Sequence, residues 1–258
     1  MKVTIITPTE GREPFLRLLY GVILAQTEKD WEWRILDDSL SPSPFFTQLQ
    51  DSRVHYTHTE EGLSIGEKRN RLVDAAQGEW IFHFDDDDYY APQYIERILE
   101  KGACDFIKLS CWFAFSSVLK QYFYWETGVF KKDFFYVSSM DPSSLCKLQW
   151  NEVQEKRERR DLKKNLYGFG FSYAYRRSIF EKARFPNKSR GEDYLFYKKV
   201  EKGGYKVDLI SDKEGLILHM MHDRNTAEIC PHYALPAFCG EKFFPHVRTF
   251  LESYPNGW

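Results

Sequence analysis

Four consecutive aspartates, Asp85 to Asp88, follow the apolar run Trp80-Ile81-Phe82-His83-Phe84. Adjacent carboxylates repel by roughly 1 kcal/mol per close pair in water, and by more where water is excluded. At the end of a strand beside a cleft such a run calls for a cation. Hard divalent ions such as Mg²⁺ or Mn²⁺ take carboxylate oxygens while keeping waters and adding substrate phosphates. The bland reading of the same residues is a solvated acidic turn leading into a helix at Pro92. A second acidic pair, Glu192-Asp193, sits in Arg190-Gly191-Glu192-Asp193-Tyr194 at the head of a predicted helix. The helix dipole favours negative charge there, so capping explains the pair, or one carboxylate is a general base within reach of a hydroxyl. Successive helical residues leave the axis about 100° apart, which predicts that the two side chains diverge. The third element is His219-Met220-Met221-His222-Asp223-Arg224-Asn225-Thr226. Two histidines three apart are a weak metal signal alone, and gain weight only because the aspartates could supply a further ligand.

These groups need elements to hold them. Lys2–Thr7 reads as a buried strand stopped by Pro8, and Pro14–Gln26 carries apolar residues at helical spacing. Strands over Trp33–Leu36, Val54–His58 and Trp80–Phe84 alternate with helices over Gly66–Ala76 and Pro92–Leu99, with Ser41–Pro44 as a loop. This alternation predicts a mainly parallel sheet with helices on both faces. Ligands bind such sheets beyond the carboxyl ends of the strands. Three strands end there in polar clusters: Thr7-Pro8-Thr9, Asp37-Asp38 and Asp85 to Asp88. The second half is less regular, with extended segments at Phe106–Val118 and Gln121–Phe130 that suggest a hairpin. Further expectations are a strand over Gly168–Tyr175, helices over Arg177–Ala183, Glu192–Lys202 and Glu241–Ser253, and strands over Tyr205–Ile210 and Gly215–His219. The charged stretch Trp150–Asn165 reads as a solvated helix or mobile loop, or more sharply as a basic flap over an anionic ligand. Aromatics between Trp112 and Tyr136 fit either an acceptor wall or a core hairpin.

The chain has 258 residues, 43% of them hydrophobic, enough for one large α/β domain. Its 36 basic and 38 acidic side chains nearly cancel, so no global field favours nucleic acid or anionic lipid. The five cysteines lack CxxC spacing and are odd in number, which argues against a zinc cluster or disulfide framework. No stretch approaches the ~18–20 apolar residues of a membrane span, and the amino terminus lacks a signal h-region. A cytoplasmic protein with no integral membrane segment is the expectation.

Taken in order, VTIITPT, ILDDS, Arg69-Asn70, GEWIFHFDDDDYYAP, GFGFSYAYRR, RGEDYLFYKKVEKGGYKV and HDRNT resemble family 2 glycosyltransferases from residue 3 to about 226. The resemblance implies a single GT-A domain over 1–258. A Rossmann-like nucleotide-sugar half, 1–110, would join an acceptor and catalytic-base half, 111–258, across a continuous sheet. It also implies inversion at the anomeric carbon by a single displacement. Pro8 and Thr9 would end the first strand against the nucleoside. Asp38 would accept from the base, with Asp37 in support, and Arg69 matches a basic position that helps hold the nucleotide. The DxD motif falls on Asp85 and Asp87: Asp87 is the expected metal ligand, with Asp86 or Asp85 toward the ribose, although four aspartates let the register slip by one. Asp193 matches the base and Glu192 would orient the acceptor. His222 fits a late metal ligand better than His219. The implied cofactor is Mn²⁺ or Mg²⁺. The implied donor is a nucleoside-diphosphate sugar, UDP-linked by the family's commoner base, with GDP and dTDP open; the acceptor is a glycan or other hydroxyl. A sugar-phosphate nucleotidyltransferase is disfavoured because Pro8-Thr9-Glu10-Gly11-Arg12 is not a glycine-rich basic loop. An aspartate-nucleophile phosphatase is disfavoured by Tyr89 after the aspartates. A non-catalytic GT-A scaffold that binds glycans or nucleotides is the rival of a different class, and slow donor hydrolysis with Mn²⁺ separates it from an enzyme.

Overall fold

The computed structural model describes residues 2–137, 145–222, 225 and 229–255. In chain order its elements are β1 (Val3–Thr9), α1 (Glu13–Leu24), β2 (Trp31–Asp37), α2 (Pro44–Gln48), β3 (Val54–His58), α3 (Ile65–Ala75), β4 (Trp80–His83), β5 (Tyr89–Tyr90) and α4 (Tyr94–Leu99). There follow β6 (Phe106–Ser116), β7 (Gln121–Glu126), β8 (Asp133–Val137), β9 (Leu145–Gln149), α5 (Glu152–Tyr167) and β10 (Ala174–Arg176). The last are α6 (Glu192–Lys202), β11 (Val207–Ser211), β12 (Ile217–Met221), β13 (Tyr233–Leu235), α7 (Phe238–Phe243) and α8 (Val247–Ser253). Two compact units result. The first takes residues up to Asp86, Pro92–Lys108 and Tyr167–Leu209; the second takes Asp87–Ala91, Leu109–Leu166 and the chain from Ile210.

In the first unit β3, β2, β1 and β4 lie side by side in that order and all parallel, with β10 antiparallel on β4. Their apolar, β-branched residues are buried on both faces, as a sheet covered on two sides requires. Strand alternation sorts the faces. Trp33 stacks on Tyr20 of α1 at 6.1 Å, and Phe82 meets Tyr94 of α4 edge-on at 5.9 Å. The residues of opposite parity, Ile6, Leu36 and Ile81, pack with Leu72 and Val73 of α3 and Phe196 and Val200 of α6. Helices therefore cover both faces, as expected. The chain steps from β1 outward to β3 and returns to β4 on the other side of β1. The carboxyl ends of β1 and β4 thus flank the switch point where such sheets bind ligands.

The second unit is largely antiparallel. β6 and β7 form the expected hairpin with Trp112 opposite Trp125, ring centroids 5.3 Å apart. β13 adds antiparallel to β7, while β12 runs parallel to β6 and carries β5 on its other side. Trp112, Phe113, Phe115, Phe123 and Trp125 are buried, so the hairpin aromatics make core rather than an open wall. No residue of α5 is buried, in line with a solvated helix.

The expected parallel pairing holds over the first four strands, and the later ones pair mostly by hairpins and returns. Several details are corrected. β1 runs through Pro8 to Thr9, because a strand tolerates proline where no ladder N–H is needed. Gly168–Tyr175 is a 3₁₀ turn, Gly170–Ser172, before the three-residue β10. The terminal helix is two helices broken around Pro245, which cannot continue α7. β8 and β9 pair as a separate two-stranded sheet that no simple alternation announces. All five cysteines are free, and among the described residues no helix is long and apolar enough to cross a membrane.

Candidate functional site

At the carboxyl edge of the first unit's sheet the polar strand ends are tied together. Thr9 Oγ1 donates to Asp86 Oδ2 at 2.6 Å, and Arg12 Nη1 donates to Asp86 Oδ1 at 2.9 Å. Asp86 is thus held against the end of β1 and is no solvated turn residue; it is 6% exposed. Asp38, just past β2, accepts from Leu63 N at 3.0 Å through Oδ2 and ion-pairs with Lys68 through Oδ1. Lys68 Nζ also donates to the Thr9 carbonyl at 2.9 Å. Asp37 accepts from Ser39 and from the Tyr56 hydroxyl, the latter at 2.7 Å, and so fixes the turn that presents Asp38. Lys68 is the residue that reading the sequence misses. Leu72 and Val73 point inward on α3, and the residues one turn earlier, Lys68 and Arg69, must share that face. Two inward cations on one helix are a request for carboxylates.

Arg69 answers that request at the head of α6. Its Nη1 donates to Glu192 Oε1 at 2.8 Å and to Asp193 Oδ1, and its Nη2 lies 3.7 Å from Asp85 Oδ1. The two neighbouring carboxylates do not diverge as helical geometry suggests. A guanidinium with its forked donors lets both converge on a single nitrogen. Burial works against the charge of Arg69, but Asp193, Glu192 and Asp85 outweigh it and hold its pKa above the ordinary value. Burial pushes the Asp193 carboxyl up to about 7, against the pull of Arg69 and with the help of the Glu192 charge. Gly191, at φ 71°, makes the left-handed turn that starts α6. Asn70 pins the preceding loop by pairing with both backbone groups of Phe185, at 3.1 and 3.0 Å.

The second oxygen of Asp193 accepts from Gly170 N at 3.0 Å. A Cβ on Gly170 would fall 2.6 Å from Asp193 Oδ2. Only glycine lets the backbone approach the carboxylate this closely. Gly170→Ala is therefore expected to displace the Asp193 carboxylate or to destabilise the turn that holds it. A crystal structure of the variant beside a circular-dichroism melt checks this; a variant as stable as wild type with the carboxylate unmoved would sink the link between Gly170 and Asp193.

In the second unit Asp87 Oδ2 lies 2.9 Å from His222 Nε2. Asn225 Oδ1 accepts from His222 N at 2.6 Å, and Asn225 Nδ2 donates to Met220 O at 3.1 Å, which sets the turn carrying the histidine. Asp88 takes a separate partner: it accepts from Met220 N and faces His219 Nδ1, both at 2.9 Å. Fully buried, Asp88 has its pKa raised by burial. His219 is thereby committed to Asp88, and His222 to Asp87. Asp223, Arg224 and Thr226 of the HDRNT stretch lie outside the described residues.

An oxygen and an imidazole nitrogen 2.9 Å apart fit two adjacent positions of an octahedral cation. Ligands bound at 2.0–2.1 Å and 90° are about 3 Å apart. Among the described residues no group of three or more His, Cys, Asp or Glu could hold a metal. Asp87 and His222 would be the protein's share of a site completed by phosphate oxygens and water.

Comparisons with known proteins bear on these arrangements. The profile described as Glycosyl transferase family 2 matches residues 4–184. That span contains Thr9, Asp38, Arg69 and Asp85 to Asp88, and stops before Asp193 and His222. A Bacillus subtilis protein named for teichuronic acid biosynthesis, glycosyltransferase TuaG, is 27% identical over 118 residues, 44% of this chain and 45% of its own length. The Escherichia coli protein named UDP-Glc:alpha-D-GlcNAc-diphosphoundecaprenol beta-1,3-glucosyltransferase WfgD is 29% identical over 96 residues, 36% of this chain and 38% of its own length. The chain spans about half or less of the curated relatives it matches first. Among solved structures, S. aureus TarS 1-349 in complex with UDP-GlcNAc superposes with a TM-score of 0.61 at 17% identity, covering 89% of this chain and 62% of that one.

Proposed function

This chain belongs to glycosyl transferase family 2 and has the GT-A fold, and from that premise we propose that it transfers a sugar from a UDP-linked donor to a hydroxyl acceptor, with inversion and with the aid of a divalent cation. The observation that carries the reading is Asp193. It is a buried carboxylate with both oxygens oriented, by Arg69 and Gly170, and a pKa brought to about 7. A base poised near the working pH combines availability with driving force for proton removal. In this reading the acceptor hydroxyl gives its proton to Asp193 as its oxygen attacks the anomeric carbon, and Glu192 helps orient the acceptor. Arg69 keeps the base in place and balances its charge. Thr9 and Asp86 close the end of β1 beside the ribose, and Asp38 faces the nucleobase. The UDP assignment is supported by the WfgD name and by the nucleotide in the TarS complex. Asp87 and His222 would hold Mn²⁺ or Mg²⁺, which when bound supplies Lewis-acid neutralisation of charge growing on the diphosphate leaving group.

Calorimetry with UDP, with and without Mn²⁺, tests the metal pair. Asp87→Ala is expected to weaken UDP binding by ~10-fold or more in Mn²⁺ and little without it, and to leave the fold intact because it also relieves carboxylate repulsion. His222→Ala should lose activity that higher Mn²⁺ partly restores, and His219→Ala should be milder. Equal Mn²⁺-supported affinity in wild type and Asp87→Ala would remove Asp87 from the site. Slow Mn²⁺-dependent hydrolysis of a UDP-sugar separates an enzyme from a binding scaffold.

A further inference from the structure

Lys68 is unusual for where it lies. Its side chain is 4% exposed, on the first turn of a helix whose buried residues also include Arg69, Leu72 and Val73. Lysine is almost never buried without a partner. An ammonium has three donors and no acceptor. Two are accounted for, by Asp38 Oδ1 and by the Thr9 carbonyl. Among the described residues the third has no acceptor. Asp38 in turn spends one acceptor site on Lys68 and one on Leu63 N, leaving about two of a carboxylate's four lone-pair sites. The pair lies past the carboxyl ends of β1 and β2. An unspent donor and an unspent acceptor therefore stand side by side at the ligand edge of the sheet.

That arrangement has a chemical complement. An imide edge, –NH–C=O, presents a donor beside an acceptor: its N–H meets the carboxylate and its carbonyl meets the ammonium. Uracil and thymine carry this edge. On the side where uracil carries O4, cytosine inverts it, with a lone pair on N3 against Asp38 and an amino group against Lys68, so both contacts become repulsive. Resting on the UDP-sugar reading above, we propose that Lys68 is a base-reading residue. Its ammonium donates to the pyrimidine O4 while Asp38 accepts the neighbouring imide N–H, so that the two together select uridine or thymidine diphosphates over cytidine diphosphate. Lys68 has a second consequence for Asp38: its charge neutralises the carboxylate, which then faces the base without adding to the repulsion of the diphosphate.

The test is the ratio of Kd for CDP to Kd for UDP, measured by calorimetry on the full chain at one fixed Mn²⁺ concentration, so that the diphosphate and metal contributions cancel. Wild type is expected to favour UDP by ~10² or more, the range seen when a site built to hydrogen-bond a group meets an analogue of opposite pattern. Lys68→Met should lower the ratio ~10-fold, chiefly by weakening UDP, since Asp38 still accepts the imide N–H. Because that variant strands the Asp38 charge, Asp38→Asn/Lys68→Met is measured beside it; it removes both charges, and its amide can donate or accept, so the ratio should fall to within about 3-fold of unity. A thermal melt shows each to be folded. Folded variants that keep the wild-type ratio would overturn the inference and make Lys68 a structural tie, as would a wild type that binds UDP and CDP equally. A wild type that binds neither nucleotide would instead overturn the UDP-sugar reading, and this inference with it.

Discussion

Asp193→Asn is expected to lower kcat by ~10² or more while donor affinity stays within a few-fold, the usual size of a general-base contribution. Asparagine keeps the size of the side chain, and its carbonyl can still accept from Gly170 N or from Arg69. It cannot take a proton. The pH profile gives the sharper test. With the Asp193 pKa pushed up to about 7 by burial, kcat/KM of the free enzyme should fall as pH drops below neutrality. The residual rate of Asp193→Asn should lack that limb. Glu192 carries a charge that raises the Asp193 pKa, so Glu192→Gln should move the limb to lower pH and spare more of kcat. Steady-state kinetics of both variants between pH 5 and 9 decides between the two carboxylates. Normal turnover in Asp193→Asn with a dead Glu192→Gln would make Glu192 the base.

Stability carries the opposite sign from activity. Asp193 has an ordinary pKa near ~3.9 in an unfolded chain and a raised one when folded. The folded state therefore holds its proton more tightly. Its contribution to stability is fully present below pH ~4 and is lost as pH rises through about 7. On the proposed reading, the group that would remove the proton is thus one that the charged, folded state tolerates less well near neutral pH.

How much of this was legible depends on the range of each interaction. β1 to β4 announce themselves because each is a short apolar run closed by polar residues, and the helices between them carry their own periodicity. The site's position follows from the ends of those strands. The division of labour within Asp85 to Asp88 does not, because four identical neighbours carry no sign of where each points. Asp86 turns to Thr9 and Arg12, Asp87 to His222, and Asp88 to His219. Those partners lie as far as 135 residues away in sequence. The preference for His222 over His219 rests on the HDRNT pattern alone; what the fold adds is Asn225, which pins the His222 backbone. Lys68 and Arg69 were readable in part. The spacing to Leu72 and Val73 turns them inward, whereas their acceptors, Asp38, Glu192 and Asp193, belong to strand and helix ends that only the tertiary fold brings near.

The pairing of Arg69 sets the largest expected loss of stability. Arg69 is 3% exposed and serves two buried carboxylates, with a third 3.7 Å away. Arg69→Met keeps most of the aliphatic volume and removes the cation. Glu192 and Asp193 are then left facing each other with no counter-charge, and breaking a buried pair from one side costs roughly 3–5 kcal/mol. For a chain of this size each kcal/mol moves Tm by about 2–4 °C, so a fall of roughly 6–20 °C is expected near pH 8. The pH dependence identifies the cause. Without Arg69 the Asp193 pKa rises further, since the guanidinium is what pulls it down. As pH falls Asp193 takes up a proton and its repulsion with Glu192 disappears, so the deficit should shrink toward pH 5. Arg69→Met/Glu192→Gln should recover part of the loss at pH 8, because it leaves one buried charge in place of two. Calorimetric melts of wild type and both variants at pH 5 and 8 read this directly. A deficit that is equal at the two pH values, and that the second substitution leaves unchanged, would mean that Arg69 acts through packing against Phe185, 5.6 Å from its guanidinium, and not through the two carboxylates.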